Sequence, residues 1–431
     1  MALKIYVGMS GGVDSSLSAA LLKAQGYAVT GVYMKNWTQD LPGMKCPWAD
    51  DLADAKRVAV QLGIPFKVFD FQKEYRQKVV DYMIAEYKAG RTPNPDIMCN
   101  QEVKFKLFLQ TALADGADMI ATGHYARVHH PAGPAPQVPS HSSSPSTAPG
   151  EREALPPGHP RLPLHELPFA NGQPHNSEAP SGAEGGYTTR MEQSEYEWEG
   201  ALSDEARGVT SLMMPADAAK DQTYFLYRIT EEALSKTLFP LGNMTKPEVR
   251  AKAAELGLAT AAKKDSQGIC FVGQVGIKDF LSQYVTSQPG DIIDKKIGKV
   301  IGQHDGAIFY TFGQRHGLGV GGGLPYYVVG KDMAKNTVYV TTDLNDDSLW
   351  RDRLRLEHLH WINDAPAPGK TYQARTRYRA QLVDCMLDSK GVLTLAEPER
   401  AITPGQSAVL YDGDRVLGGG IVAEALAAEP K

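Results

Sequence analysis

The chain has 431 residues, of which 42% are hydrophobic, and a formal net charge of −5 at pH 7. Because one hydrophobic core rarely extends beyond about 250–300 residues, this length predicts two or three domains. The absence of any apolar run of about 20 residues and of a cleavable signal pattern predicts a cytoplasmic protein that is not bound to a membrane. The slightly acidic balance excludes indiscriminate coating of nucleic acid, but it allows a local basic patch.

The first 125 residues alternate short apolar runs with amphipathic segments. The runs "LKIYVGM", "YAVTGVYM", "PFKVFDF" and "ADMIATG" are separated by helical patterns such as "SSLSAALLKAQG", "DDLADAKRVAVQLG" and "QEVKFKLFLQTALADG". Strands that alternate with helices of this length form βαβ units. The sequence therefore predicts an α/β fold with a Rossmann-like parallel sheet.

The pattern stops over residues 131–211, which are dense in proline, glycine and serine. Such a composition buries too little apolar surface to offset chain ordering, and it predicts a disordered insertion. The insertion holds several histidines without cysteines or helical pairing, so a solvated linker is favoured over a metal site, and we expect no metal held by protein ligands alone.

Beyond the insertion, "KDQTYFLYRITEEALSKTLFPLG" and "TKPEVRAKAAELGL" predict two helices, the second with Thr245 as its N-cap. After about residue 295 the chain turns to short strands and glycine turns, which predict a C-terminal all-β barrel. The expected domains are the α/β domain over 1–238, a small central domain over 239–350, and a β-barrel over 351–431. The central domain includes the Cys270 loop, which we expect to dock on the catalytic site.

The segment "VGMSGGVDSSLSAALL" predicts a strand, a glycine-rich turn and a helix. Backbone N–H groups at a helix start bind anions, and glycines let a phosphate approach the main chain. The turn lacks both GxxxxGK[ST] and GxGxxG; "SGGVDSS" instead resembles the PP-loop of ATP pyrophosphatases, which cleave ATP between its α and β phosphates. A generic strand-to-helix turn is the alternative. Because Asp14 is unfavourable beside phosphate unless a cation is shared, the loop implies Mg²⁺ together with ATP.

Two of the four cysteines lie in polar surroundings. Cys99 follows Asp96 by three residues in "RTPNPDIMCNQEVKF", in a proline-broken loop just before a predicted helix, where a thiolate is favoured. The alternative for Cys99 is a buried structural cysteine. Cys270 lies in "KKDSQGICFVG", whose lysines Lys263 and Lys264 either lower a thiol pKa or are solvated. Spacing alone does not pair these two cysteines, and we expect Cys46 and Cys385 to be structural.

Nine motifs then occur in the order found in tRNA-specific 2-thiouridylases, which the chain resembles over nearly all of its length except the insertion. They are "GMSGGVDSS", "GVYMKNW", "NPDIMCNQEVKF", "ATGHYAR", "KDQTYFL", "LGNMTKPEVR", "DSQGICFVG", "YTFGQRHGLGVGGG" and "RYRAQ". The resemblance implies that ATP adenylates O2 of the wobble uridine in tRNA and that a persulfide sulfur replaces this oxygen. The products are then 2-thiouridine, AMP and pyrophosphate.

The resemblance also implies roles for individual residues. Cys270 would carry the persulfide, Cys99 would form a transient disulfide with it, and Asp96 would be a general acid or base. The implied ATP-binding residues are Gly8, Met9, Ser10, Gly11, Gly12, Val13, Asp14, Ser15, Met34 and Gly123. The implied tRNA-binding residues are Asn94, Pro95, Asp96, His124, Lys220, Asp221, Gln222, Arg377, Tyr378 and Gln406.

The implied partners are the anticodon arm of the tRNAs for lysine, glutamate and glutamine, and a persulfide donor, either a cysteine desulfurase or a sulfur-relay protein. Arg375, Arg377 and Arg379 alternate as in a strand, so we expect them to share one face that follows phosphates. A charged edge strand is the alternative. The insertion departs from the family pattern, since it interrupts the catalytic domain where relatives have a short connection.

Two other functions remain open at this point. A PP-loop enzyme that adenylates a small molecule and adds nitrogen, like the synthetase half of GMP synthetase, would need neither cysteine. A non-catalytic RNA-binding protein that has kept the fold would bind tRNA without releasing pyrophosphate.

Overall fold

The computed structural model describes residues 2–40, 46–131, 208–264, 277–321 and 323–426. Most of the predicted insertion and residues 265–276, which include Cys270, lie outside these described residues. The predicted C-terminal limit of the insertion, residue 211, was wrong. Ser211 is fully buried and begins a strand that pairs with the C-terminal sheet.

The first sheet is parallel and has five strands in the order β3-β2-β1-β4-β7. Aliphatic residues of β1, Ile5 and Val7, are fully buried, which explains the apolar runs in the sequence. The predicted parallel sheet is thereby confirmed. The strands are β1 (Lys4–Gly8), β2 (Ala28–Lys35), β3 (Phe66–Asp70), β4 (Met119–Ala121) and β7 (Thr237–Leu238).

Helices pack on this sheet, and none of the described helices is long and apolar enough to cross a membrane. Thr245 begins the helix after β7, as predicted, with a capping box completed by Glu248. The α-helices are α1 (Val13–Ala24), α2 (Trp48–Leu62), α3 (Gln72–Tyr75), α4 (Asp81–Lys88), α5 (Pro95–Met98), α6 (Leu109–Ala114), α7 (Glu231–Ser235), α8 (Lys246–Glu255) and α9 (Ile277–Leu281). Two stretches of π-helix connect α3 to α4 (Arg76–Val80) and α5 to α6 (Cys99–Phe108).

The first predicted helix after the insertion was largely wrong. "KDQTYFLYRITEEALSKTLFPLG" forms a short 3₁₀ turn over Thr223–Phe225, then α7 and β7. Tertiary hydrogen bonds explain this difference, because Tyr224 Oη donates to the carbonyl of Ser407 at 2.9 Å and Tyr227 Oη lies 3.0 Å from Ser407 Oγ. Contacts to the C-terminal sheet thus override the local helical pattern.

The central segment forms a four-stranded sheet in the order β10-β11-β8-β9. All its pairs are antiparallel except β11 with β8. Buried Val338 and Val340 of β11 pack into its core. The strands are β8 (Gly290–Asp294), β9 (Lys299–His304), β10 (Tyr327–Asp332) and β11 (Thr337–Thr341), with 3₁₀ turns at Ala307–Phe309 and, beyond β11, at Asp347–Leu349.

The C-terminal sheet closes into the predicted barrel, since β12 pairs with β17 at the end of the order β12-β15-β14-β13-β16-β17. Two strands from either side of the insertion, β5 and β6, extend this sheet from β17. His129 pairs with Ser211, so two described segments that are far apart in sequence are neighbours in this sheet. The strands are β5 (Arg127–His129), β6 (Ser211–Met213), β12 (Trp350–Trp361), β13 (Thr371–Arg375), β14 (Val383–Leu387), β15 (Val392–Arg400), β16 (Ser407–Asp412) and β17 (Arg415–Leu426).

Candidate functional site

The glycine-rich turn joins the carboxyl end of β1 to the start of α1. Ser10 N donates to Ser15 Oγ at 3.2 Å, and Ser15 Oγ donates to the Gly12 carbonyl at 3.2 Å. Gly11 has φ +76°, and a Cβ there would lie 2.3 Å from the carbonyl oxygen of Asp51. The turn is therefore a compact loop, held against α2, whose helix start presents backbone N–H groups.

Two residues that the resemblance assigns to ATP lie against this loop. A Cβ on Gly8 would lie 3.0 Å from Met34 Cε, and a Cβ on Gly123 would lie 2.7 Å from the backbone nitrogen of Ser15. Met9 is fully buried and Val13 is 3% exposed. The structure thus brings all the predicted ATP-binding positions into one neighbourhood, with Met9 and Val13 as packing residues beneath it.

Asp14 does have a cationic partner, although the loop itself contains no lysine. Lys246 Nζ of α8 lies 2.7 and 2.8 Å from the two carboxylate oxygens of Asp14, across 232 sequence positions. Tyr125 Oη donates to the same carboxylate at 2.9 Å. A protein ammonium thus already balances the charge of Asp14, and the Mg²⁺ inferred from this residue stays a prediction.

The predicted base pocket begins a helix. Asn94 is the N-cap of α5, and its side chain accepts from Asp96 N at 3.1 Å, while Pro95 occupies the first helical position. The expected proline-broken loop around Cys99 is wrong, because a proline at this position favours the helix start. Cys99 lies one turn further along and is 3% exposed. Its neighbour Asn100 donates to the Phe225 carbonyl at 3.0 Å.

Asp96, Lys104 and His124 form an electrostatic cluster beside Cys99. Burial raises the pKa of Asp96, whereas the positive charge of Lys104 lowers it. Burial, reinforced by Lys104, holds the pKa of His124 well below its usual value. Lys104 Nζ lies 3.4 Å from His124 Nε2, and Thr122 Oγ1 lies 2.8 Å from His124 Nδ1. His124 is therefore a neutral imidazole at pH 7.

One tetrapeptide connects this cluster to the phosphate loop. Within "TGHY", Gly123 packs against Ser15 of the loop, His124 contacts Lys104, and Tyr125 donates to Asp14. Phe105 and His124 also lie with ring centroids 5.7 Å apart. Since Lys104 acts on both Asp96 and His124, the tetrapeptide links the carboxyl and the neutral imidazole to the glycine-rich loop.

The structure gives two of the predicted tRNA-binding residues internal partners. Asp221 is 3% exposed and pairs with Arg375 Nη1 of β13, and it also accepts from Thr223 N at 2.9 Å. Gln222 Oε1 accepts from Tyr125 N at 2.8 Å. Their neighbour Lys220 is half-buried. Asp221 therefore connects this segment to the barrel through Arg375. Gln222 connects it to Tyr125, which donates to Asp14 of the glycine-rich loop.

The arginines do not share one strand face as expected. Strand β13 ends at Arg375, which points inward to Asp221, while Arg377 and Arg379 lie in the following turn and are exposed. The ion pair to Asp221, 154 residues away, decides this arrangement. Arg379 has φ +63°, a conformation incompatible with a continuing strand.

Arg377 and Gln406 instead line one cavity between the central sheet and the barrel. The cavity has a volume of about 230 Å³ and is also lined by Phe312, Thr376 and Arg400. Tyr378 packs on Phe225, with ring centroids 4.4 Å apart. Because the Phe225 carbonyl accepts the hydrogen bond from Asn100, Tyr378 is linked through Phe225 to the residue that follows Cys99.

The other two described cysteines are buried, and Lys263 has acidic partners. Cys46 and Cys385 are buried, and burial raises the pKa of Cys385 to about 12. Lys263 was expected either to lower the pKa of a thiol or to be solvated. It is paired instead with Asp51 and Asp54 of α2, at 2.8 and 2.7 Å. Cys270 lies outside the described residues. Within the described part of the chain, no group of three or more His, Cys, Asp and Glu side chains could hold a metal ion.

Sequence reasoning missed Lys104, Tyr125 and Lys246 as residues of the site. Each stands inside a motif that carries the resemblance, namely "NPDIMCNQEVKF", "ATGHYAR" and "LGNMTKPEVR". Their positions in those motifs were the available signal. Their contacts to His124 or Asp14 join residues that are 20 to 232 positions apart in the sequence. No local sequence pattern reveals contacts between residues so far apart.

Comparison with known families matches three segments of the chain. Residues 3–143 and 181–274 match the family described as "tRNA methyl transferase HUP domain", residues 278–342 match "tRNA methyl transferase PRC-barrel domain", and residues 351–422 match "Aminomethyltransferase beta-barrel domain". These segments follow the parallel sheet, the central sheet and the C-terminal barrel in order.

Curated relatives match over nearly the full chain. The tRNA-specific 2-thiouridylase MnmA of Geobacillus thermodenitrificans is 40% identical over 98% of this chain and 95% of its own length. The proteins of the same name from Lysinibacillus sphaericus and Enterococcus faecalis are 40% and 39% identical, over 100% and 97% of this chain and 96% and 95% of their own lengths. Identity of this extent shows that the chain belongs to the tRNA-specific 2-thiouridylase family.

Proposed function

We propose that the protein is an ATP-dependent tRNA-uridine 2-sulfurtransferase that acts on the wobble uridine in the cytoplasm. In the first step, uracil O2 attacks the α-phosphorus of ATP, and pyrophosphate leaves. In the second step, the outer sulfur of a persulfide on Cys270 attacks C2, and O2 leaves as part of AMP. Cys99 then attacks the inner sulfur of Cys270, which releases 2-thiouridine and leaves a disulfide for an external thiol to reduce.

The observation that carries this proposal is the tetrapeptide "TGHY". It joins a loop suited to pyrophosphate with the cluster of Asp96, Lys104 and His124, and Cys99 follows Asp96 by three residues, so activation and sulfur transfer can act on one base. An enzyme that only activated a small molecule would need no pair of cysteines. Family membership supports the same assignment.

ATP would bind with its phosphates at the α1 start and its base near Met34 and Gly8. The residues present fit a Mg²⁺ ion held mainly by phosphate oxygens, since Asp14 offers a carboxylate at the loop and the described residues hold no group of three or more metal-ligating side chains. Bound there, Mg²⁺ would supply charge neutralisation of the departing pyrophosphate.

Asp96 is proposed to exchange a proton with the uracil during adenylation. Its raised pKa suits this role, because a carboxyl that is more readily protonated can donate as well as accept. Asn94 and Pro95 would hold the base through the rigid start of α5. His124, neutral at pH 7, would offer a hydrogen bond without adding charge to the pocket.

The tRNA would lie between the cavity of Arg377 and Gln406 and the start of α5. Exposed Arg377 suits a phosphate, and Tyr378 suits a stacked base. The wobble base must be extruded to reach Asp96, which explains a gripping module separate from the catalytic pocket. We propose the anticodon arms of the tRNAs for lysine, glutamate and glutamine as substrates, and a cysteine desulfurase or sulfur-relay protein as the persulfide donor.

The test is mass spectrometry of nucleosides from tRNA incubated with the protein, ATP, Mg²⁺ and a persulfide source. We expect 2-thiouridine together with equal amounts of AMP and pyrophosphate. Cys270→Ser should abolish thiolation while preserving tRNA binding. Full thiolation by this variant would overturn the carrier role, and ATP-dependent amidation of a small molecule would overturn the assignment to tRNA.

A further inference from the structure

We propose that Lys246 binds the phosphate chain of the nucleotide, supplying from α8 the cation that the glycine-rich loop lacks in its own sequence. This inference rests on the proposed function, because it requires that the loop binds ATP. Asp14 then serves as the partner of Lys246 before the nucleotide arrives.

The ion pair is unequally buried. The Lys246 side chain is 10% exposed, whereas that of Asp14 is 31% exposed, so Asp14 forms the solvent-facing side of the pair. An ammonium so enclosed keeps its charge at low energy only beside an anion. A phosphate bound at the start of α1 would offer this ammonium a second, more highly charged anion.

The backbone of Lys246 is held firmly. Its N–H donates to Asp217 Oδ2 at 2.8 Å, and the preceding residue, Thr245, forms the capping box with Glu248. Buried Val249 and Ala253 of α8 pack in the same core as Leu17 of α1. The position of Lys246 relative to the loop is therefore fixed by helix packing, which lowers the entropic cost of contacting a ligand.

The surroundings favour a role in ligand binding over a role in folding alone. Tyr125 Oη donates to Asp14 Oδ1 at 2.9 Å, and Gly123 packs against the backbone of Asp14 and Ser15. The ion pair thus lies at the first turn of α1, where N–H groups also attract anions. A lysine serving only to join α8 to α1 would be equally effective away from this anion site.

The experiment compares Lys246→Met and Lys246→Arg with Lys252→Met, a control on the same helix whose lysine pairs with Glu255 near the surface. Isothermal titration calorimetry measures the affinity of each full-length variant for ATP, inorganic pyrophosphate and AMP, with Mg²⁺ present. We expect Lys246→Met to bind ATP and pyrophosphate about 10- to 100-fold more weakly. Its AMP affinity should be unchanged, and Lys246→Arg should recover part of the loss.

Equal loss of affinity for AMP and pyrophosphate, or no loss for either, would overturn the inference. If Lys246→Met does not fold, the pair Asp14→Asn and Asp14→Asn/Lys246→Met answers the same question, since the double variant leaves no uncompensated charge. There the double variant should bind pyrophosphate more weakly than Asp14→Asn, and equal affinities would overturn the inference. Failure of the wild-type protein to bind ATP would instead contradict the proposed function.

Discussion

Gln406 of the C-terminal barrel donates from Nε2 to the backbone carbonyl of Thr92 at 2.8 Å, across 314 sequence positions. Thr92 N in turn donates to the Pro404 carbonyl at 2.9 Å. Two residues after Thr92 the N-cap of α5 begins the predicted base pocket. The barrel turn that contains Gln406 therefore sets the position of the segment leading to Asp96 and Cys99.

This contact predicts that Gly405→Ala lowers tRNA affinity and thiolation but leaves ATP binding intact. Gly405 has φ +93°, and a Cβ there would lie 2.8 Å from Thr92 N, so the added methyl must push the barrel turn from the pocket segment. Gly413→Ala is the matched control, because Gly413 also has a positive φ but nothing within 4 Å. Equal tRNA affinity in the two variants, measured by filter binding, would disprove this role of the turn.

Asp96→Asn is expected to raise the free energy of unfolding at pH 7 while lowering the thiolation rate about 10²- to 10⁴-fold. Burial raises the pKa of Asp96 in the folded protein. The free energy of unfolding of the wild-type protein therefore falls as pH rises from the unfolded-state pKa of Asp96 through its folded-state pKa. Because an amide does not ionise, Asp96→Asn removes this loss. Urea unfolding at several pH values measures the effect.

Asp346→Asn provides a control of opposite sign. Burial alone would raise the pKa of Asp346, but hydrogen bonds from Lys295 and Ser348 outweigh it and hold the pKa at about 2. This carboxylate stabilises the fold above its unfolded pKa and stops doing so as pH falls through about 2. Its amide variant should be destabilised at pH 7 by about 1 to 2 kcal/mol and keep full activity. Destabilisation by Asp96→Asn as well would show that Asp96 is a structural group.

Lys104→Met is expected to raise the pKa values of both Asp96 and His124. Removing a cation makes protonation of a carboxylate and of an imidazole easier, and Lys104 acts on both groups. The pH dependence of single-turnover thiolation should shift to higher pH, and NMR titration should show the same direction for His124. Lys106→Met removes an exposed lysine paired with Glu102 and should leave both unchanged. An unaltered profile in Lys104→Met would exclude Asp96 as the titrating group.

The pair of Asp221 and Arg375 predicts a structural role for Asp221. Asp221→Asn leaves Arg375 buried without a carboxylate, which costs about 3 to 5 kcal/mol. The double variant Asp221→Asn/Arg375→Met should recover part of this loss, because it removes both charges. Thermal denaturation measures the stability, and filter binding at a temperature where each variant is folded measures tRNA affinity. Reduced tRNA affinity at unchanged stability would instead assign Asp221 to RNA contact.

Local patterns predicted the elements that local forces determine. The turn from Ser10 to Ser15 is closed by hydrogen bonds between residues five or fewer positions apart, so its motif was readable. Thr245 begins its helix through a capping box, which is equally local. The apolar runs of β1 and β2 likewise identified the parallel sheet correctly.

The errors share a different cause, because distant contacts decided those positions. Lys246 reaches Asp14 across the domain, so the loop's charge balance was invisible in its own sequence. Arg375 turns inward to Asp221, so the expectation that the alternating arginines share one strand face was wrong. Pro95 is the exception, because it was read as a breaker although a local hydrogen bond from Asp96 N to Asn94 begins a helix there.

The most direct test of the account is a single-turnover assay of wild-type protein and Cys99→Ala with ATP, Mg²⁺, tRNA and a persulfide donor. Thin-layer chromatography follows AMP and pyrophosphate, and mass spectrometry follows 2-thiouridine. The account predicts stoichiometric 2-thiouridine, AMP and pyrophosphate for the wild-type protein, and pyrophosphate release without 2-thiouridine for Cys99→Ala. Wild-type levels of 2-thiouridine from Cys99→Ala, or none from the wild-type protein, would contradict it.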